Sequence, residues 1–246
     1  IMQEQSDDKI TLNFIGRVNT PYKEKFAIPR QPGLVSAAKG SITLLSTANN
    51  EELVRGIEQF SHLWLIFIFH GTQQQGWKPL VRPPRLGGNK KLGVLATRST
   101  FRPNPIGMSV VKLESVEFSH KQVIINISGL DLLDQTPILD IKPYIPYSDN
   151  IDCALAGFAQ VEPDKVLDVI FSSQAKEDIE HHQKEHTDLS TFIEQVLSQD
   201  PRPAYKKKKI DEKIYGMSLY DLNILWKVSL HNANNVEVLS ISKATC

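Results

Sequence analysis

The first two-thirds of the chain consist of short apolar runs, each bounded by glycine, proline or polar residues. Residues 63–69 are apolar at every position, which is typical of a strand buried on both faces. Residues 123–127 form another strong β run, and residues 119–121 before it predict a hairpin turn. Such a pattern predicts a mainly β fold containing a small closed, or nearly closed, antiparallel β-barrel. The predicted strands are residues 9–18, 41–45, 63–69, 91–97, 109–117, 122–130 and 138–144.

Helical patterns are few in the first part and stronger towards the C-terminus. One short helix is predicted over residues 50–60, with Asn49 or Asn50 as its cap and two glutamates in its first turn. Residues 172–198 have the spacing of one or two amphipathic helices, with a break near Thr187 and Asp188. The Asp200-Pro201-Arg202-Pro203 sequence then ends this helical region, because proline cannot continue a helix.

The pattern changes near residue 157, and this change divides the chain. Residues 222–230 and 235–242 predict a hairpin around Asn232, so the last part combines helices and strands. The predicted organisation is a flexible N-terminus at 1–9, a β-barrel domain at 10–157 and a small α+β domain at 158–246.

The charge is unevenly distributed, although 28 basic residues balance 28 acidic ones in the 246-residue chain. Residues 59–112 contain no aspartate or glutamate, so this segment can build a local positive field in a protein of pI about 7.2. A neutral protein does not coat nucleic acid indiscriminately, and any contact with it is expected at a patch. The basic residues of this segment are Lys78, Arg82, Arg85, Lys90, Lys91, Arg98, Arg102 and Lys112.

Several kinds of site are excluded by absent motifs. The chain has no G-x-G-x-x-G turn, no P-loop sequence and no G-x-S-x-G nucleophile sequence. Its only cysteines are Cys153 and Cys246, which predict a reducing, cytoplasmic setting, and no apolar run reaches the length of a membrane helix. His182 and His186 share a helix face without a third ligand, so we expect a solvated face rather than a metal site.

Two rigid, arginine-bearing loops and one acidic turn carry the candidate chemistry. Residues 81–89 and 96–107 combine arginines with prolines and glycines, as expected for loops that hold an anionic ligand in fixed geometry. The turn over residues 131–140 contains three carboxylates, any of which could accept a hydrogen bond from a ribose or an amine. Ordinary proline turns and an Asx turn are the simpler alternatives.

These motifs together resemble the TsaA/YaeB family, whose bacterial members are TrmO-type tRNA methyltransferases. The similarity runs in the family's order from about residue 10 to the C-terminus, and Gln135 departs from it by replacing the usual glycine. The motifs are Pro29-Arg30-Gln31-Pro32-Gly33-Leu34-Val35, Phe60-Ser61-His62-Leu63-Trp64, Arg82-Pro83-Pro84-Arg85, Ala96-Thr97-Arg98-Ser99, Phe101-Arg102-Pro103-Asn104-Pro105-Ile106-Gly107, Asp140-Ile141-Lys142-Pro143-Tyr144 and Asp200-Pro201-Arg202-Pro203-Ala204-Tyr205.

The resemblance implies an S-adenosylmethionine-dependent, homodimeric enzyme that needs no metal. Its substrate would be threonine tRNA, methylated at N6 of the threonylcarbamoyladenosine on the 3′ side of the anticodon. Arg98 would suit the cofactor's carboxylate through a bidentate pair. The implied cofactor contacts are Gln31, His70, Gly71, Arg98, Met108, Asp134, Gln135, Thr136 and Pro137.

On the substrate side, the acceptor nitrogen needs a group that accepts its N–H. Asp134 or a backbone carbonyl of Gln135 or Thr136 could serve, and the sequence does not decide between them. Arg102 or Arg85 is the predicted partner of the threonylcarbamoyl carboxylate.

Two other functions are alternatives to a tRNA methyltransferase: a non-catalytic tRNA- or nucleotide-binding barrel, and a small-molecule methyltransferase. Further predicted substrate contacts are Asn104, Tyr144, Lys90 and Lys91, with Lys78, Arg82 and Lys206 to Lys209 along the tRNA backbone and Trp77, Phe101 and Tyr144 for base stacking.

Overall fold

The computed structural model describes residues 10–87, 89–163, 167–202, 212–229, 232 and 234–244. The predicted flexible N-terminus at 1–9 and the lysine run Lys206 to Lys209 lie outside these residues.

Six antiparallel strands close into a barrel, as the strand pattern predicts. Their order around the barrel is β1-β2-β7-β6-β3-β8. The connection from β3 to β6 carries a separate two-stranded sheet, β4-β5. The bounds are β1 Gly16–Asn19, β2 Lys39–Leu44, β3 His62–Ile68, β4 Leu80–Val81, β5 Leu92–Gly93, β6 Ile106–Ser119, β7 Gln122–Ser128 and β8 Pro137–Pro143.

Alternation along the strands fills the barrel interior. Leu63, Leu65 and Phe67 of β3 are buried, whereas the intervening residues are only half-buried on the outside. The prediction that this run is buried on both faces is therefore wrong, because the outer face of the barrel carries apolar residues too. The hairpin turn predicted between β6 and β7 is confirmed, and both His120 and Lys121 in it have positive φ.

The second lobe is a four-stranded sheet with two helices. Its strand order is β10-β11-β12-β9, and β12 and β9 are the parallel pair. The helices are separated at Asp188, which is left-handed, so the predicted break is confirmed. The bounds are α1 Pro146–Asp149 after the barrel, then β9 Asp168–Phe171, α2 Ser173–His182, α3 Leu189–Ser198, β10 Tyr215–Leu219, β11 Leu222–Val228 and β12 Asn235–Lys243.

Two predicted elements differ in the structure. Residues 50–60 form two 3₁₀ turns, Glu51–Val54 and Ile57–Gln59, because Gly56 between them is left-handed at φ +86° and interrupts a helix. The Asn50 side chain does cap the first of them, accepting from the Glu52 N–H at 2.9 Å. Residues 91–97 contain only the short β5, followed by a 3₁₀ turn at Val94–Ala96.

The two lobes share one hydrophobic core. Tyr22, from the loop after β1, packs its ring 5.9 Å from Phe192 of α3 and forms a β-bridge with Leu219 of β10. The Gln195 side chain in α3 accepts a hydrogen bond from the Ala37 N–H at 2.9 Å. The division of the chain near residue 157 stays a prediction, but the C-terminal lobe is firmly seated on the loops that precede β2. None of the helices in the described ranges combines the length and apolar character needed to cross a membrane.

Candidate active site

One end of the barrel brings most of the predicted site residues together. The antiparallel register places the C-terminal ends of β1, β3 and β7 beside the N-terminal ends of β2, β6 and β8. We call this end the mouth. The loops that leave these strand ends hold Gln31, His70, Gly71, Arg85, Lys90, Lys91, Arg98, Arg102, Asn104 and the turn from Asp134 to Pro137.

Arg98 and Gln31 form the polar centre of the mouth. The exposed Arg98 guanidinium donates from Nη1 to Gln31 Oε1 at 2.6 Å, which ties the arginine loop to the loop before β2. Asp131 lies on the same side and accepts a 2.6 Å hydrogen bond from the buried Ser109 hydroxyl on β6. An arginine and a carboxylate held side by side match the two opposite charges of an amino-acid group.

Burial perturbs Asp131 strongly. It raises the pKa of this carboxyl to about 6, although the Ser109 hydrogen bond and the Arg98 charge both act to lower it. The turn sequence contains three aspartates, and the sequence alone did not distinguish Asp131 from its neighbours. The structure distinguishes it by its inward-facing partner on β6.

Asp131 is therefore expected to make stability fall as the pH rises. Its pKa is higher in the folded than in the unfolded protein, so the folded state keeps the proton between about pH 4 and pH 6 and carries the costly buried charge above pH 6. Asp131→Asn should remove this slope and stabilise the protein at pH 8 by about 1–3 kcal/mol. Urea unfolding at pH 5 and pH 8 measures the effect. Parallel pH profiles for the variant and the parent protein would contradict this assignment.

The turn before β8 has the backbone conformation that a glycine would favour. Gln135 is left-handed at φ +62°, so the replacement of the family's glycine leaves the turn in place at some conformational cost. Its side chain donates to Asn19 Oδ1 at 2.8 Å, and its carbonyl accepts from Arg17 Nη1 at 2.9 Å. The buried Thr136 hydroxyl donates to the Leu133 carbonyl at 2.6 Å and so locks the turn.

Asp134 is occupied on both carboxylate oxygens. Oδ1 accepts from the Thr20 N–H at 2.9 Å, and Oδ2 forms a 2.6 Å ion pair with Lys23. A carboxylate held in this way is a structural clamp between the turn and the end of β1. The arrangement favours a backbone carbonyl over Asp134 as the acceptor of a substrate N–H, while the catalytic role of Asp134 stays a prediction.

His70 and Gly71 follow β3 at the mouth. Partial burial lowers the pKa of His70, and the nearby Arg17 charge lowers it further, so the imidazole is neutral at physiological pH. Its Nδ1 lies 3.4 Å from the Thr136 hydroxyl oxygen. A side chain at Gly71 would come within 3.2 Å of Leu133, so the glycine permits close packing against the turn.

Arg102 and Arg85 are engaged with main-chain carbonyls. The Arg102 Nη1 donates to the Thr97 carbonyl at 2.7 Å, which supports the loop that presents Arg98. Arg85 donates to the Val161 carbonyl. Both arginines therefore have a loop-supporting role, and their predicted contact with a substrate carboxylate stays a prediction. Lys90, Lys91 and Asn104 are exposed around the mouth.

Two predicted site residues are not brought to this cluster. Met108 points to the outside of β6, opposite in direction to Ser109, and is 53% exposed. Tyr144 follows the far end of β8, about 20 Å along the strand from Pro137, where its ring packs 5.9 Å from Trp64. Both residues therefore lie outside the mouth, and their contacts with cofactor and substrate stay predictions.

The histidines of the second lobe do not form the exposed pair expected from their spacing. His182 is buried and its ring contacts His181, so the prediction of a solvated face is wrong for this residue. His186 Nε2 lies 2.7 Å from Asp221 Oδ1, with Glu185 nearby. The Lys243 ammonium pairs with both carboxylates and lowers the pKa of Asp221 to about 2, so a cation already occupies the place a metal ion would take.

The fold and the mouth describe a barrel-type binding protein. One closed antiparallel barrel presents paired charges and an arginine loop without acidic residues at one end, in place of the glycine-rich turn of a doubly wound sheet. Comparison with known proteins identifies the family. Residues 17–150 match the tRNA-methyltransferase O N-terminal domain and residues 164–244 match the TrmO C-terminal domain, so the chain belongs to the TrmO family.

Individual relatives match most of the chain. The tRNA (adenine(37)-N6)-methyltransferase of Escherichia coli K12 is 49% identical over 87% of this chain and 92% of its own length. A human protein of the same name is 37% identical over 67% of this chain and 37% of its own length. The crystal structure of TrmO from Pseudomonas aeruginosa superposes with a TM-score of 0.80 at 38% identity, over 96% of this chain and 99% of that one.

Proposed function

We propose that this protein is an S-adenosylmethionine-dependent methyltransferase that modifies N6 of adenosine 37 in tRNA. The observation that carries the proposal is the mouth of the barrel, where Arg98, Gln31 and Asp131 meet. These residues lie in a chain 49% identical to an enzyme named for that reaction. A tRNA substrate also agrees with the cytoplasmic setting that the two cysteines predict.

The charges at the mouth are complementary to those of the methyl donor. Arg98 offers a guanidinium for the carboxylate of the cofactor's amino-acid end, and Asp131 offers a carboxylate for its ammonium group. His70 and the turn from Asp134 to Pro137 would flank the remainder. The bound cofactor supplies an electrophilic methyl group on a sulfonium, so the reaction needs no metal ligand from the chain.

The residues of the chain mainly hold and orient the acceptor. The Gln135 carbonyl accepts one hydrogen bond from Arg17 and keeps a second lone pair for the N–H of the acceptor nitrogen. Such a contact would turn the nitrogen's own lone pair towards the methyl group. As the new carbon–nitrogen bond forms and the methyl–sulfur bond breaks, the N–H proton would leave to solvent. The Asp134 clamp and the Gln135–Asn19 contact would fix the position of this carbonyl.

The decisive test of this function is Arg98→Ala. Loss of a charged hydrogen-bond partner should weaken S-adenosylmethionine binding about ten- to hundredfold in calorimetry and should lower the rate of tRNA methylation at subsaturating cofactor. Arg55→Ala is the matched control, because Arg55 is exposed and, among the described residues, forms its ion pair with Glu52 on the surface.

Three results would contradict the proposal in different ways. Unchanged affinity in Arg98→Ala removes this arginine from the cofactor site. Cofactor binding without methyl transfer to any tRNA favours a non-catalytic binding barrel. Turnover that is indifferent to tRNA favours a small-molecule methyltransferase.

The finer substrate proposal is that the acceptor base carries a threonylcarbamoyl group and that the tRNAs are threonine tRNAs. It rests on the family motifs and on the exposed cations around the mouth, such as Lys90 and Lys91, which suit a base with its own carboxylate. Mass spectrometry of tRNA nucleosides from cells lacking the protein, with and without rescue, tests it directly. Persistence of the methylated nucleoside in those cells would contradict it.

A homodimer is proposed from the outer face of β3 and β6. Its paired side chains are Ile68 with Ile106, Ile66 with Met108 and Trp64 with Val110, and Ile106 is 40% exposed. A row of apolar side chains on a barrel exterior marks a protein contact. Ile106→Glu should therefore lower the molar mass in sedimentation towards that of one chain, whereas Phe118→Glu, an exposed apolar site further along the same strand, should not. An unchanged mass for Ile106→Glu would locate the contact elsewhere.

A further inference from the structure

A cleft lies between the barrel and the C-terminal lobe, beside the mouth. Its volume is about 370 Å³, within the range of small-ligand sites. One wall is the loop that leads from β1 to β2, with Phe26 67% exposed, and the opposite wall is the end of α3. The loop between β4 and β5 contributes Arg82 and Pro84 at the rim.

The described lining of the cleft carries more positive than negative side chains. Within the ranges that the structure describes, the side chains of Lys25, Arg30 and Arg82 have no hydrogen-bond or ion-pair partner. Among the described residues of the lining, Asp200 is the one that carries a carboxylate, and it accepts hydrogen bonds from Arg202 at 2.8 and 2.9 Å. Three positive charges therefore face a semi-enclosed space, where they attract an anion more strongly than they would in open water.

The cleft adjoins the proposed cofactor site at two points, one along the chain and one in space. Arg30 immediately precedes Gln31, which holds Arg98. The Lys25 side chain passes within 3.8 Å of the position that a Cβ would take on Gly71. A ligand in the cleft would therefore lie next to a ligand at the mouth.

We propose that this cleft binds an oxyanion of the acceptor nucleotide through Arg30, Arg82 and Lys25. The inference rests on the proposed function and adds to it the group that fixes the acceptor. The oxyanion is either the carboxylate of the modified base or a neighbouring backbone phosphate, and guanidinium groups bind both in the same way. Arg85 and Arg102 already donate to main-chain carbonyls, whereas the Arg30 and Arg82 side chains have no partner among the described residues.

The cleft also gives the C-terminal lobe a part in substrate binding. Asp200 and Arg202 are 1% and 3% exposed, and their mutual pair fixes the wall that faces the barrel loops. The cleft does not exist in the barrel alone, because Val196, Gln199 and Pro201 close its far side.

The experiment uses Arg30→Ala, Arg82→Ala and the double variant in the full-length protein, with Arg55→Ala as the matched surface control. Each is assayed for methylation of threonine tRNA that carries or lacks the threonylcarbamoyl group, at several salt concentrations, and for tRNA affinity by fluorescence anisotropy. S-adenosylmethionine affinity is measured by calorimetry alongside. We expect each single variant to raise the KM for modified tRNA about tenfold or more while cofactor affinity stays unchanged.

The two sources of the oxyanion give different patterns. A variant that loses activity mainly on modified tRNA, and so narrows the gap between the two substrates, identifies the carboxylate. A variant that weakens both tRNAs alike and flattens the salt dependence identifies a phosphate. Kinetics and tRNA affinity equal to those of Arg55→Ala would overturn the cleft proposal while leaving the methyltransferase in place. Absence of methylation by the parent protein would instead count against the proposed function, and the anisotropy series would still decide the cleft.

Discussion

Threonine tRNA that lacks the threonylcarbamoyl group is expected to be methylated about a hundredfold more slowly than the modified tRNA by the unaltered protein. The reason is the free energy lost when the arginine that binds the carboxylate has no carboxylate to bind. A pocket built around a charged partner loses the ion pair when that partner is absent, and it leaves a partly desolvated arginine without compensation. The measurement is the initial rate of methyl transfer to each tRNA at equal concentration.

The control for that comparison is a lysine at the rim. Lys90 and Lys91 are exposed, so a contact with phosphate would position the tRNA without reading the base. Lys90→Ala should therefore slow both substrates by the same factor and preserve the ratio between them. Equal rates on the two tRNAs with the unaltered protein would show that the arginines of the mouth and cleft do not read the carboxylate.

Arg202→Ala is expected to lower the free energy of unfolding by about 3–5 kcal/mol. The Arg202 and Asp200 side chains are 1% and 0% exposed and bond to each other through two nitrogens and both carboxylate oxygens. Removal of the guanidinium leaves a buried carboxylate without its partner, which costs far more than the pair itself contributes. Urea unfolding followed by circular dichroism gives the difference.

Two further variants test whether the loss of stability in Arg202→Ala comes from the buried, unpaired carboxylate. Asp200→Asn combined with Arg202→Met removes both charges and should be less destabilised than Arg202→Ala alone. Lys227→Ala breaks a half-exposed pair with Glu237 and should change stability by less than about 1 kcal/mol. A loss for Arg202→Ala as small as that for Lys227→Ala would contradict the argument.

The barrel could be predicted from the sequence because its strands repeat a simple pattern. Most of the predicted strands have counterparts in the structure, since runs such as residues 122–130 combine β propensity with clear turns on either side. The helix predicted over residues 50–60 is wrong because a capping asparagine and first-turn glutamates also begin a 3₁₀ turn, and the left-handed Gly56 interrupts any longer helix. The short strand β9 was missed because its partner, β12, lies far along the chain and leaves no local pattern. The strand β10 was missed although it pairs with the next strand, β11, across a tight turn.

The candidate site was only partly within reach of sequence reasoning. Motif resemblance selected Gln31 and Arg98, and the structure brings them into contact from loops 67 residues apart. Nothing in a linear pattern shows that Asp134 is occupied by Lys23, or that Arg102 donates to the Thr97 carbonyl, because these contacts depend on how the loops fold back. Arg30 stands in a family motif but received no predicted role, and Lys25 was not singled out, because both line a cleft whose other wall is α3.

The aromatic contact between the lobes has a thermodynamic consequence. The ring of Phe192 on α3 lies between two tyrosine rings, 5.9 Å from Tyr22 of the barrel and 5.4 Å from Tyr220 of the second lobe. Tyr22 is fully buried. Opening the seam between the lobes would expose these rings to water together, at a cost that neither lobe can recover alone. The barrel and the C-terminal lobe should therefore melt as one cooperative unit, and the geometry of the mouth persists only while both are folded.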